Sequence, residues 1–244
     1  LRFVEALQPV AEMWPEVFDE LLQAVVDGGW RLPPEVLVGL LARFRTHPTR
    51  RPLVEQVERE HGPIDIFFSN AGAGVPGNVD ATNEDWQSQW ELHVMAHVYA
   101  ARAVIPAMRA RGEGYIVQTA SAAGLLAAIG SAPYSVTKAA CIKLAETISI
   151  EHGDAGIGVS VLCPQGVNTA MAPRQLGDGG TDGIVEPEFV AEVVTSAIRD
   201  GKFLILPHPE VQTYVERKAA DPDRWLAGMR RLRKRSLDLL GDAG

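Results

Sequence analysis

Between residues 64 and 206 four short apolar runs alternate with long helical stretches, and this alternation limits the available folds more than any other feature of the chain. The runs occupy residues 64–68, 115–119, 157–162 and 203–206, each rich in β-branched or aromatic side chains. Helical periodicity fills the intervals at residues 83–111, 134–151 and 187–198, and a shorter helix over 53–60 precedes the first run. Strands that alternate with helices in this way build βαβ units and a parallel sheet. Right-handed crossovers then place helices on both faces, so a Rossmann-like α/β domain is expected over residues 53–240. Its last part, residues 210–240, reads as one or two amphipathic helices.

Residues 1–50 read differently. Val17, Phe18, Leu21, Leu22, Val25 and Val26 follow a helical period, Asp27-Gly28-Gly29 stops it, and Val36, Leu37, Leu40, Leu41 and Phe44 mark a second helix. This helical segment of unknown origin contains no convincing strand. The chain lacks an initiator Met, which suggests a fragment, a processed chain or a trimmed one.

Of the 244 residues 46% are hydrophobic, enough for a substantial core. The net charge of −8 argues against nucleic-acid binding, which needs a basic surface. Cys141 and Cys163 lie in apolar stretches and read as reduced core residues. There is neither a signal-peptide pattern nor an apolar run of about 18 residues, so a cytoplasmic location and no membrane span are expected.

Four features carry chemistry. Tyr134 and Lys138 form Y-x-x-x-K at a helix start, which puts both side chains on one face. Ser121 lies thirteen residues earlier, just past a strand. Asn70-Ala71-Gly72 and Pro164-Gln165-Gly166-Val167-Asn168-Thr169 follow two other strands. Open parallel sheets place their ligands at these carboxyl ends. A tyrosine is a poor acid–base group at neutral pH, but a cation one helical turn away stabilises its phenolate. Such a phenol can exchange a proton with a carbonyl or alcohol oxygen while hydride moves at carbon. The Ser121 hydroxyl can hold the same oxygen. Hydride transfer needs a cofactor, because no side chain supplies it.

The strings FFSNAGAG, YIVQTASAAGL, YSVTKAA and VLCPQGVNTAM resemble the corresponding segments of the short-chain dehydrogenase/reductase family, and the similarity runs from about residue 53 to 235. The resemblance implies an oxidoreductase using NAD or NADP on a small alcohol or carbonyl substrate. Ser121, Tyr134 and Lys138 would be the catalytic triad, with Lys138 also on the nicotinamide ribose. Asn70, Ala71 and Gly72 would line the adenosine side, and Pro164, Gly166, Val167 and Thr169 would border the nicotinamide. Residues 175–186 would be a substrate lid, and the two long helices would form the interface of a homodimer or homotetramer. His93 stands where the family usually has the Asn of its proton relay, and it is a candidate for that role.

A second departure is larger. The family opens with a strand and a G-x-x-x-G-x-G turn that cradles the pyrophosphate at a helix N-terminus. No such turn precedes residue 53, so the cofactor-binding half reads as truncated and weak dinucleotide affinity is expected. A non-catalytic descendant that keeps the fold for protein association is the alternative reading.

Three other signals are assigned no site. Gly72 to Gly77 matches G-x-G-x-x-G literally, but Pro76 and a polar stretch separate it from any helix. His93 and His97 have helical zinc-ligand spacing without a third ligand, so no metal is expected. The basic cluster Arg230, Arg231, Arg233, Lys234 and Arg235, beside Trp225, Met229 and Leu232, reads as a solvated face over an apolar stripe. An oligomer contact or an anionic-ligand site is the alternative there.

Overall fold

The structure, a computed structural model, describes residues 51–169 and 182–241. The expected helices before residue 51, and residues 175–181 of the expected lid, lie outside the described residues.

Four parallel strands form one sheet in the order β1-β2-β3-β4: β1 is Ile66–Ser69, β2 Gly114–Thr119, β3 Ile157–Leu162 and β4 Leu204–Ile205. The register pairs Ile66 with Tyr115, Tyr115 with Gly158, and Val161 with Leu204. Helix α1 (Arg51–His61) leads into β1. Between β1 and β2 run α2 (Asn83–Trp90), a π-helical turn (Glu91–Met95) and α3 (Ala96–Arg111). A short helix α4 (Ala122–Leu126) and the long α5 (Ala132–His152) connect β2 to β3. Helix α6 (Pro187–Arg199) precedes β4, and α7 (Glu210–Ala220) and α8 (Pro222–Gly241) end the chain's described part.

The sheet is flanked by helices, as the alternating pattern predicts. Ile66, Phe67, Ile116, Val117, Val159 and Val161 are buried against Val104 and Met108 of α3, Cys141 and Ala145 of α5, and Val190 and Val194 of α6. Each Val, Ile, Phe or Met among them contributes roughly 1.5–3 kcal/mol on leaving water. Tyr115 lies over its cross-strand partner: a Cβ on Gly158 would fall 2.4 Å from the Tyr115 ring. The phenol then bonds Ser160 Oγ at 2.7 Å, which satisfies its polar end.

Beyond shifts of a residue or two at element ends, two features depart from the sequence reading. The stretch 83–111 is not one uniform α-helix, because the N–H of Ala96 bonds to the carbonyl of Glu91, five residues back, and widens that turn. The short helix α4 had no sequence signal, since five residues carry no readable period. It begins because Ser121, in extended conformation, accepts the N–H of Ala123 at 3.1 Å. At the other end of α3, Gly112 adopts φ 77° and closes the helix with a left-handed cap.

Candidate active site

Three loops leave the carboxyl ends of β1, β2 and β3 side by side, and the first turns of α5 stand over them. They enclose one side of an open cleft of about 910 Å³. Asn70, Gly72, Ser121, Tyr134, Lys138, Pro164, Gly166, Val167 and Thr169 all line it, so the structure brings together nearly every site residue expected from sequence. Ala71 and His93 do not line it. Ala71 faces a small hollow beside Phe67, Phe68 and His97, while His93 stands fully buried behind Gly72 and Lys138.

Lys138 is buried, and its Nζ donates to the carbonyl of Thr119 at 2.8 Å. The same ammonium lies 5.6 Å from the centroid of the Tyr134 ring. Among the described residues the Tyr134 hydroxyl has no hydrogen-bond partner, so it remains available to a ligand. Ser121 Oγ accepts the Ala123 N–H and donates to the carbonyl of Pro164 at 3.4 Å. One hydroxyl thereby joins the loops after β2 and β3.

Gly72 has a steric reason to be glycine. A Cβ there would sit 3.2 Å from Lys138 Nζ and 3.6 Å from His93 Nε2. Gly124 has a stronger one: its Cβ would fall 2.7 Å from the Lys138 carbonyl carbon, so α4 rests directly on the backbone of α5. Ser121 and Lys138 are therefore held in register by backbone contact.

His93 links the π-turn to both sides of the cleft. Thr137 Oγ1 donates to the carbonyl of Pro133 at 2.8 Å and lies 2.9 Å from His93 Nδ1. With its proton committed, the threonine oxygen accepts from Nδ1–H, and Nε2 accepts the backbone N–H of Ala73 at 3.3 Å. The network assigns this tautomer. Burial, then the nearby Lys138 cation and His97, push the His93 pKa down to about 2, so the ring is neutral. Burial and Lys138 likewise lower His97 to about 3. The His93 ring also meets Tyr134 edge-on at 5.3 Å between centroids.

The loop after β3 is fixed from outside. The Asn168 N–H donates to the Val185 carbonyl at 2.9 Å, Val185 N–H donates to Gly166 O at 3.1 Å, and Asn168 Nδ2 donates to the Glu186 carboxylate. Buried His208 accepts the Gln165 N–H at 3.2 Å through Nδ1. Sequence reasoning passed over Thr137, His208, Gly124 and Glu186. Only Thr137, adjacent to Lys138 within the motif, offered a local hint.

The described residues contain no group of three metal-ligating side chains and no helix long and apolar enough to cross a membrane. Both cysteines are buried thiols, free of any disulfide.

The sequence profile described as short chain dehydrogenase matches residues 39–178. A CLA biosynthesis dehydrogenase/reductase from Lactiplantibacillus plantarum is 28% identical over 193 residues, 67% of this chain and 67% of that protein. Epidermal retinol dehydrogenase 2 from Homo sapiens is 30% identical over 167 residues, 64% of this chain but 52% of its own length. The chain thus spans about half to two thirds of these curated relatives. Among solved structures, a short chain dehydrogenase/reductase from Burkholderia phymatum in complex with NAD superposes with a TM-score of 0.64 at 26% identity, covering 73% of this chain and 74% of that one. L-sorbose reductase from Gluconobacter frateurii, complexed with NADPH and L-sorbose, gives 0.60 at 27% identity, covering 68% and 73%.

Proposed function

Because this chain belongs to the short chain dehydrogenase family of oxidoreductases, we propose that its cleft carries out hydride transfer between NAD or NADP and an alcohol or carbonyl substrate. The observation that carries this reading is the convergence of Ser121, Tyr134 and Lys138 on one cleft, with the ammonium 5.6 Å from the phenol ring.

The donor set fits one half of a nicotinamide dinucleotide. Lys138, Tyr134 and the loop from Pro164 to Thr169 would hold the nicotinamide and its ribose, and Asn70 and Gly72 the adenosine side. The 244 residues contain no G-x-x-x-G-x-G pattern of the kind that cradles a pyrophosphate, and weak dinucleotide affinity is expected of this chain. When bound, the dinucleotide supplies the two-electron chemistry. Tyr134 gives its proton to a carbonyl oxygen, or takes one from an alcohol, and the buried Lys138 cation stabilises the phenolate form. Ser121 donates to the same oxygen, exchanging its long bond to Pro164 O for one to the substrate. His93, with both ring nitrogens engaged, is a positioning residue that holds Ala73 against α5. In this reading the chain pairs with a second copy along α3 and α5, where Val136 and Ile150 are exposed.

The test is Tyr134→Phe, assayed with NADH and NADPH against a panel of small ketones and alcohols. Turnover should fall by roughly 10²-fold or more at unchanged melting temperature. An unchanged rate would remove Tyr134 from the chemistry. A micromolar dissociation constant for NADH, measured by fluorescence titration, would contradict the expected weak affinity of this chain.

A further inference from the structure

The cleft has a second wall that the proposed proton chemistry does not use. It is built by α7 and α8, and it faces the Ser121 side. Helix α7 packs on α4, where Lys218 Nζ donates to the Leu125 carbonyl, and the Tyr214 ring of α7 meets Trp225 of α8 at a tilt, 6.2 Å between centroids. Along α8 the cleft-lining positions include 224, 228, 231 and 235, one continuous helical face. Three of the four are arginines, and Arg217 of α7 is a fourth cation on the same wall. The Arg231 guanidinium lies back over the helix, 3.8 Å from where a Cβ on Gly228 would stand.

Two aspartates line the same cleft, and neither forms an ion pair with these cations. Asp182 accepts the Tyr214 hydroxyl at 2.7 Å, and Asp221 accepts the backbone N–H of Arg224 at 2.9 Å as a helix cap. Among the described residues no carboxylate forms an ion pair with Arg217, Arg224, Arg231 or Arg235. In a chain whose net charge is −8, one cleft thus gathers four guanidinium groups that pair with no carboxylate of the described residues. Leu126, Ile129, Trp225, Met229 and Leu232 line the same cleft and give it an apolar surface.

We infer that the substrate is an anion with an apolar body: an alcohol or ketone whose far end carries a carboxylate or a phosphate. The apolar lining takes the chain, and the arginines take the acid group by charge-assisted bonds that a neutral analogue cannot make. This rests on the cleft being the substrate site, and it adds the chemical class of what enters. The wall contacts α4, the helix that Ser121 caps.

Binding is measured without turnover, by quenching of tryptophan fluorescence on titration with octanoate, octyl phosphate and neutral octanamide in low salt. One or both anions should bind about tenfold more tightly than the amide. The preferred anion identifies carboxylate or phosphate as the terminal group. Arg231 and Arg235 are exposed, so Arg231→Gln/Arg235→Gln should keep the parental circular dichroism spectrum while the preference shrinks to about twofold. Raising salt should erode it in the parent chain. Equal binding of anion and amide, or a preference that survives in the double variant, overturns the inference. The preference is read from binding alone, so it can hold while an unchanged rate in Tyr134→Phe sinks the hydride-transfer reading, and it can fail while that rate falls; the two failures are distinct.

Discussion

The Nδ1 of His93 lies 2.9 Å from Oγ1 of Thr137, and this contact ties the π-turn to the helix that carries Tyr134 and Lys138. Thr137→Val keeps the shape but removes the acceptor, and it leaves a buried N–H unpaired. The expected loss is about 1–3 kcal/mol, read as a lower urea midpoint. Thr137→Ser should restore most of it. Equal stability of the Val and Ser variants would show that the contact carries no weight.

Gly124→Ala should damage the site through backbone contact alone. The added methyl meets the Lys138 carbonyl carbon at 2.7 Å, so α4 must lift, and Ser121 caps that helix. We expect about 1–3 kcal/mol of destabilisation, together with a fall in turnover larger than Thr137→Val produces. A variant with parental melting temperature and rate would mean that α4 does not bear on α5 in solution.

Acid should destabilise the fold early, starting near pH 6.5. His93 and His97 stay neutral in the folded protein, with pKa values of about 2 and 3, against 6.5 for a free imidazole. Below pH 6.5 the unfolded chain therefore binds protons that the folded chain refuses. The stability these rings confer is complete above pH 6.5 and drains away as pH falls toward 2–3, at up to about 1.4 kcal/mol per pH unit for each ring. His97→Asn should flatten the pH dependence of the urea midpoint between pH 6.5 and 4.5. A slope identical to the parent's would contradict the neutral assignment.

Cys141 and Cys163 should resist alkylation at pH 8. Burial raises their pKa values to about 11 and 12, and both side chains are inaccessible. Labelling in native buffer should follow the opening rate and accelerate sharply in urea. Prompt native labelling of either thiol would place it at the surface.

Much of this site is legible in the sequence because its parts are local. Y-x-x-x-K fixes two side chains on one helical face, and strand–loop junctions announce Ser121, Asn70 and Pro164. What stayed hidden depends on partners far along the chain. His93 meets Thr137 across 44 residues and Gln165 meets His208 across 43, pairings that no local pattern announces. The basic cluster shows the same limit. Its composition allowed a solvated face, an oligomer contact or an anionic-ligand site, and only the crossing of α8 over the cleft brings Arg231 and Arg235 to one side of it.

The π-turn also makes chain length between Trp90 and Ala96 a mechanical variable. Removing one residue from Glu91–Met95 would restore ordinary helical winding and rotate everything upstream by about 100° relative to α3. His97 would keep its seat, while His93 would swing off Thr137 and release Ala73, although no residue that lines the cleft had been changed.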